Sequence, residues 1–204
     1  MSLTNYSDLK TSVANYLART DLTDQIPDFI RLAEIRMRRE IRIRQMLKSV
    51  TTATTASDST VEVPSDFLEV RDIVIEGNPI RPLTYASPSA FSRSSRASIL
   101  GYPSDYTILA SEFQLAPIPD SNYTIKLLYF AAPALLSDSN ASNEFLANVP
   151  DMLLYASLIE AEPYLMNDAR LQVWIAMYER ASSSVAKSDE GGQYSGVPLS
   201  IKAV

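Results

Sequence analysis

RLAEIRMRREIRIRQ, residues 31–45, holds six arginines against two glutamates, and its two halves follow different periods. Leading into it and through its first half, Ile26, Phe29, Ile30, Ala33, Met37 and Ile41 recur at the spacing of a single helical stripe. Its tail, IRIRQ, alternates with period two, the pattern of extended chain. A helix is therefore expected to hand over to a strand near here. Leu32, Ile35 and Ile43 lie off the stripe, so a second helix face is partly apolar. Arg31, Arg38 and Arg42 share a third face, with Arg36 and Arg39 to one side of it.

Upstream, Asn5 or Ser7 is placed to cap a first helix reaching about Ala18, with Leu9, Val13, Tyr16 and Leu17 at helical spacing. RTDLTD breaks it, and the second helix starts near residues 23–27, where Asp24 and Asp28 suit the positive end of the helix dipole. Downstream, strands are expected at about 47–54, 60–63, 70–75, 80–83, 105–109, 112–116 and 123–131. Gly77-Asn78 reads as a tight hairpin turn, and Pro79 and Pro82 push the fourth strand to a sheet edge. Ser87-Pro88 caps a short helix through about Arg93, and RSSRASILGYPS reads as loop. YTIKLLYFA is the most convincing strand.

After SDSNASN the pattern is helical again. Residues 150–166 are apolar on nearly every face, as in a helix packed between others, and Pro163 should kink or end it. A last helix is expected from about Asp168 to Lys187, with Leu171, Ile175, Tyr178 and Val185 on one side. EGGQYSGVPLSIKAV begins with a flexible glycine pair and ends apolar. The organisation expected is N-terminal bundle helices over 1–46, a β-rich insertion over 47–132, a helical hairpin over 133–189 completing the bundle, and an extended tail over 190–204. The class is α+β: a helical bundle from the two ends of the chain with an inserted antiparallel β subdomain.

Composition limits the chemistry. The 204 residues include no cysteine and no histidine, which removes thiolate metal sites, disulfides and the usual general base together. Glu160 and Glu162 form the one pair of carboxylates in a buried-looking helix, but a two-residue step turns them about 200° apart, so they do not meet on one substrate atom. Each is expected to pair with an arginine of the 31–44 block. Asp66, Asp72, Asp105, Asp120 and Asp138 fall mainly in turns, without the D-x-D-x-D-G pattern of a calcium loop. Ser57, Ser65 and Ser87 have no accompanying base and read as turn caps. With five glycines there is no G-x-G-x-x-G or G-x-x-x-x-G-K cradle for phosphate. No metal, cofactor or catalytic residue is expected. MSLTNYSDLK has no apolar run of signal-peptide length, and no stretch reaches the roughly 18 apolar residues of a membrane span, so a soluble chain is expected.

Charge is unevenly placed. Residues 31–48 carry seven basic groups against Glu34 and Glu40, a local +5, so the remainder must carry −11 to give the net −6. An acidic body with one basic segment is not the usual profile of a nucleic-acid binder, which shows a basic face. Three readings of the arginines stand: a DNA contact, a solvated basic face, or a subunit interface in which guanidinium groups bond carboxylates and their stems cover apolar surface.

Longer motifs add to this. YLARTDLTDQIPDFIRLAEIRMRREIRIRQM, VPSDFLEVRDI and FQLAPIPDSNYTIKLLYFAAPALLSDSNASNEFLANVPDMLLYASLIEAEPYLMNDARLQVWIAMYERA together resemble the head-to-tail adaptor, or connector, proteins of short-tailed bacteriophages. The likeness runs from about Tyr6 to Ala186; its most telling pieces are DLTDQIPDFIRLAE, VPSDFLE, LAPIPD and L-x-x-W-x-x-x-Y-E-R-A, while 93–103 and the segment after Lys187 carry little of it. The resemblance implies a structural virion protein, not an enzyme, made in the host bacterial cytoplasm and placed at the head–tail junction. It implies a twelve-fold ring under the portal protein that extends the DNA channel and meets the tail nozzle, DNA passing without specific binding and no membrane being involved. On that reading Arg31, Arg36, Arg38, Arg39, Arg42 and Arg44, with Glu160 and Glu162, are expected at contacts within and between subunits. The tail residues Val197, Pro198, Leu199, Ile201 and Val204 are expected to order on the portal or on an adjacent copy. A nucleic-acid-binding module built on the Arg31–Arg44 helix is the alternative; a neck protein at another level of the virion is a second.

Overall fold

A computed structural model describes residues 3–166 and 169–194, and the chain divides into a helical unit, made by the segments up to Met46 and from Pro133, and a β unit, Leu47–Ala132. The helical unit opens with α1 (Tyr6–Leu17). Asn5 caps it, its side chain accepting from the Asp8 N–H at 2.9 Å, and the Thr4 hydroxyl returns a bond to the Asp8 carboxylate. Ala18, at φ 54°, closes the helix in the left-handed conformation.

α2 (Ile26–Glu40) follows, with Pro27 in its first turn. The expected stripe is the buried one: Ile26, Phe29, Ile30, Ala33, Met37 and Ile41 all lie inside. Ile41 is already extended, at φ −111°, and a turn of 3-10 helix, Arg44–Met46, comes before the first strand. Ile43 is thus no part of a second helix face; it is buried beyond the helix end.

In the β unit the strands are β1 (Leu47–Ala53), β2 (Thr60–Glu62), β3 (Phe67–Ile75), β4 (Arg81–Pro82) and β5 (Thr84–Tyr85). After α3 (Pro88–Arg93), capped by Ser87, come β6 (Leu100–Gly101), β7 (Asp105–Leu109), β8 (Glu112–Ala116), β9 (Ile118–Pro119) and β10 (Thr124–Ala131). One sheet has the order β1-β10-β3-β4 and a second β2-β8-β7-β5; β6 and β9 form a parallel pair. Their facing sides share one core, with Ile73, Ile75, Ile125, Leu127 and Tyr129 from the first sheet and Val61, Tyr106, Phe113 and Leu115 from the second. β10 is central because YTIKLLYFA alternates inward apolar residues along its length. Asp66 ties the base of this sheet together: it takes bonds from Lys48 Nζ and the Tyr129 hydroxyl, both at 2.8 Å. Burial and that bond push the Tyr129 phenol up to about 12.

Two expectations for this unit change. The β3–β4 hairpin does not turn on Gly77-Asn78 alone. Ile75 pairs with Arg81, leaving residues 76–80 in the loop, and Gly77 does not take the positive φ that a two-residue primed turn requires. The presumed loop RSSRASILGYPS contains a 3-10 turn and β6, whose pairing with β9 depends on backbone bonds that leave no mark on side-chain pattern. Pro82 does sit on the edge strand β4, as its missing N–H demands.

The chain returns through α4 (Glu144–Asn148), which the sequence reading missed, then α5 (Pro150–Leu165) and α6 (Leu171–Tyr194). α5 is packed by α1, α2, α4 and α6, which is why it is apolar all round; Pro163 lies in its last turn, and Met166 closes it at φ 54°. α6 buries Trp174, Tyr178 and Ala181, while Leu171, Ile175 and Val185 are half-buried beside them. Its helix runs on through Gly191 and Gly192, so no flexible link begins at residue 190. Residues 195–204, including Val197, Pro198, Leu199, Ile201 and Val204, lie outside the described residues. Among the described residues no helix is long and apolar enough to cross a membrane.

Candidate functional site

α2 presents its arginines to several directions because a stripe of six buried apolar residues fixes how the helix lies. Those directions sort the guanidinium groups by partner. Arg36 Nε donates to Glu40 at 3.0 Å and its Nη1 to Glu160 at 3.4 Å, and the group lies over the Tyr178 ring, 5.0 Å from its centroid. Arg38 Nη2 donates to the Pro133 carbonyl. Arg42 Nη1 donates to the carbonyls of Arg38 and Ile41, both at 2.8 Å, and so satisfies acceptors freed at the end of α2. Arg44 meets Asp189 of α6 twice, Nε at 3.2 Å and backbone N–H at 3.0 Å. Four of the six arginines are therefore bonded within their own unit.

Among the described residues Arg31 and Arg39 make no such hydrogen bond or ion pair. They are exposed, on the outward face that also carries Asp28, Leu32 (48% exposed) and Ile35 (36%). This mixed stripe sets two guanidinium groups around two aliphatic side chains on the exposed side of α2. Of the two glutamates, Glu160 receives Arg36, and Glu162 is half-buried two residues further along α5.

A polar cluster behind this face escaped the sequence reading. Glu34 is 1% exposed; it accepts from the Leu136 N–H at 3.1 and 3.2 Å and from the Asn143 side-chain amide at 2.5 Å. Asn143 also caps α4, accepting from the Leu146 N–H at 3.0 Å, and donates to the Ala134 carbonyl. Burial pushes the Glu34 carboxyl above its ordinary value, and the Leu136 and Asn143 bonds, with the nearby charges of Arg38 and Arg31, pull the other way. One signal was available: Glu34 sits one turn after Ile30, inside the apolar stripe, where a carboxylate must have a partner.

At the α2–α6 contact the Tyr178 hydroxyl donates to Glu40 at 2.8 Å, and burial followed by that bond raises the phenol. Tyr178→Phe should weaken the helical unit by about 1–2 kcal/mol, the usual worth of a half-buried hydrogen bond to a charged group. Denaturant unfolding followed by fluorescence of Trp174, the chain's single tryptophan, measures it; no loss of stability would show that Glu40 is served equally by water.

Among the described residues no group of three or more Asp or Glu side chains is gathered as a metal site would need. No curated protein matches the chain. The protein-family comparison does: the family described as SU10 adaptor protein matches residues 4–201. That span takes in both units and the whole basic helix, and the chain belongs to this family of bacteriophage head-to-tail adaptors.

Proposed function

We propose that copies of this chain close into a twelve-fold ring between the portal protein and the tail nozzle and extend the channel through which DNA leaves the head. Membership of the adaptor family supports a structural virion role at the head–tail connection. The observation that carries the subunit contact is the division among the arginines: Arg36, Arg38, Arg42 and Arg44 hold their own unit, while Arg31 and Arg39 frame Leu32 and Ile35 outside it. A ring contact is heterologous, so this patch needs a different one on the next copy. α6 supplies an apolar partner, an outward stripe of Val173 (54% exposed) and Met177 (38%). Aliphatic meets aliphatic at the centre, with the guanidinium groups of Arg31 and Arg39 at its rim.

The net charge of −6 supports passage of the genome without capture, since an acidic wall repels phosphate. Among the described residues a DNA-binding reading retains two arginines, Arg31 and Arg39, without a hydrogen bond or ion pair on the helix it needs. Light scattering on the chain with and without purified portal tests the proposal. A twelve-copy gain in mass on the portal is the expected result; a portal that gains nothing refutes it, and a salt-sensitive DNA gel shift would revive the rival.

A further inference from the structure

The edges of the two sheets in the β unit are not finished alike. β4 is two residues long and ends in Pro82, β5 is two residues and β2 three. β1 has seven, with no proline, and pairs with β10 one for one from Leu47↔Phe130 to Ala53↔Thr124 without a bulge. Sheets ordinarily shorten, bulge, charge or cover an edge of this length. Its free groups follow from the ladder. The Thr54 N–H donates to the Tyr123 carbonyl at 2.8 Å, so Thr52 and Val50 bond β10 and the alternate residues Ser49, Thr51 and Ala53 aim N–H and C=O at the open edge. All three are exposed.

The inner face beside that edge is unfinished too. Val50 stands opposite Leu127 and Thr52 opposite Ile125, and both partners are core residues, so Val50 and Thr52 face inward. Yet Val50 is 37% exposed, because the second sheet stops at β2. The result is a groove of about 450 Å³ between β1 and β2, walled by Val50, Val61 and Val63 and floored by Phe113, Ile125 and Leu127.

We propose that residues 197–204 of a neighbouring copy, VPLSIKAV, add to β1 as a fifth strand and fill this groove. In extended form Val197, Leu199, Ile201 and Ala203 share one face, matching the apolar inner side, while Ser200 and Lys202 face water. Eight extended residues span roughly 26 Å against roughly 23 Å for the seven of β1. The strand runs parallel to β1. In that sense the inward residues turn their N–H groups towards β1, and Pro198, which has none, falls on the new outer edge where proline is tolerated. The inference rests on the ring in one respect, that the neighbour supplies the segment: one tail and one groove per copy leave every groove filled on closure.

The absence of cysteine makes the test clean. Full-length T51C is mixed with full-length S200C, or with K202C to cover the other register, and oxidised with and without portal. A disulfide-linked dimer of the two different variants is expected, and L199D added to the S200C chain should reduce its yield about tenfold or more, since a charge would enter the groove unpaired. Thr51→Pro removes only an N–H that faces the open edge, so T51P should keep the fold and block capture of the tail. Rings that form on the portal without this cross-link overturn the inference and leave the ring standing. A bond found only within single chains of the T51C/S200C double variant overturns the role of the neighbour. If no ring forms but the mixed dimer appears in solution and is lost with L199D, the groove assignment stands and the ring fails.

Discussion

Glu34→Ala should cost the helical unit about 3 kcal/mol, the upper end of what a stranded buried donor costs. The carboxylate is 1% exposed and serves two donors, the Leu136 N–H and the Asn143 amide, on the segment that brings the chain back from the β unit. Alanine would strand both donors in a space too apolar for them, and a buried donor without an acceptor costs about 1–3 kcal/mol. Asn143 keeps its bond to the Ala134 carbonyl, which limits the damage on that side. Trp174, 4% exposed in α6, reports unfolding of this unit alone. A loss under about 1 kcal/mol would mean that the connection is held without Glu34.

The same residue carries a pH signature. Burial raises its folded value above the ordinary 4.5, so between those two values the folded chain holds more protons than the unfolded one. Stability from this group is then full below about pH 4.5 and is lost as pH rises through the folded value. Glu34→Gln lacks the titration but keeps the volume. The difference in stability between wild type and E34Q should therefore shift in favour of wild type on acidification from neutral pH. A difference that stays flat with pH would show the carboxyl to be solvated as in the unfolded chain.

Much of this was legible in one dimension. The stripe on α2, Asn5 as one of two cap candidates, the Ser87 cap, the edge position of β4 and the existence of β10 follow from period, capping residue and missing N–H, all local properties. What escaped depends on partners far along the chain. α4 is five residues long, too short to show a period, and is held by Asn143, whose own place is fixed by Glu34, 109 residues earlier. β6 and β9 make a two-residue parallel pairing, with β7 and β8 between them in the chain. The basic block was visible as composition, but its division was not. Whether an arginine meets Pro133, Glu160 or Asp189 depends on how α2, α5 and α6 pack, and no spacing within residues 31–45 encodes that. The exposed remainder, Arg31, Leu32, Ile35 and Arg39, becomes visible only once the other arginines have found their partners.

That division makes the last prediction a contrast. Leu32→Asp with Ile35→Asp should leave the Trp174 transition within about 0.5 kcal/mol of wild type, because both side chains already face water. The same double variant should abolish ring formation on the portal. Losing about 2–3 kcal/mol at the apolar centre of one contact weakens it roughly 30- to 150-fold. A ring applies that loss at every junction, so closure fails well before the isolated contact does. Arg38→Glu should behave in the opposite way. It removes the donor to the Pro133 carbonyl and brings a second carboxylate towards Glu34, so the fold weakens before any interface is reached. Light scattering with portal and Trp174 unfolding, run side by side, separate the two outcomes. Normal rings from the Leu32/Ile35 variant would remove α2 from the subunit contact; a stable, ring-deficient Arg38→Glu variant would mean that Arg38 reaches across to a neighbour after all.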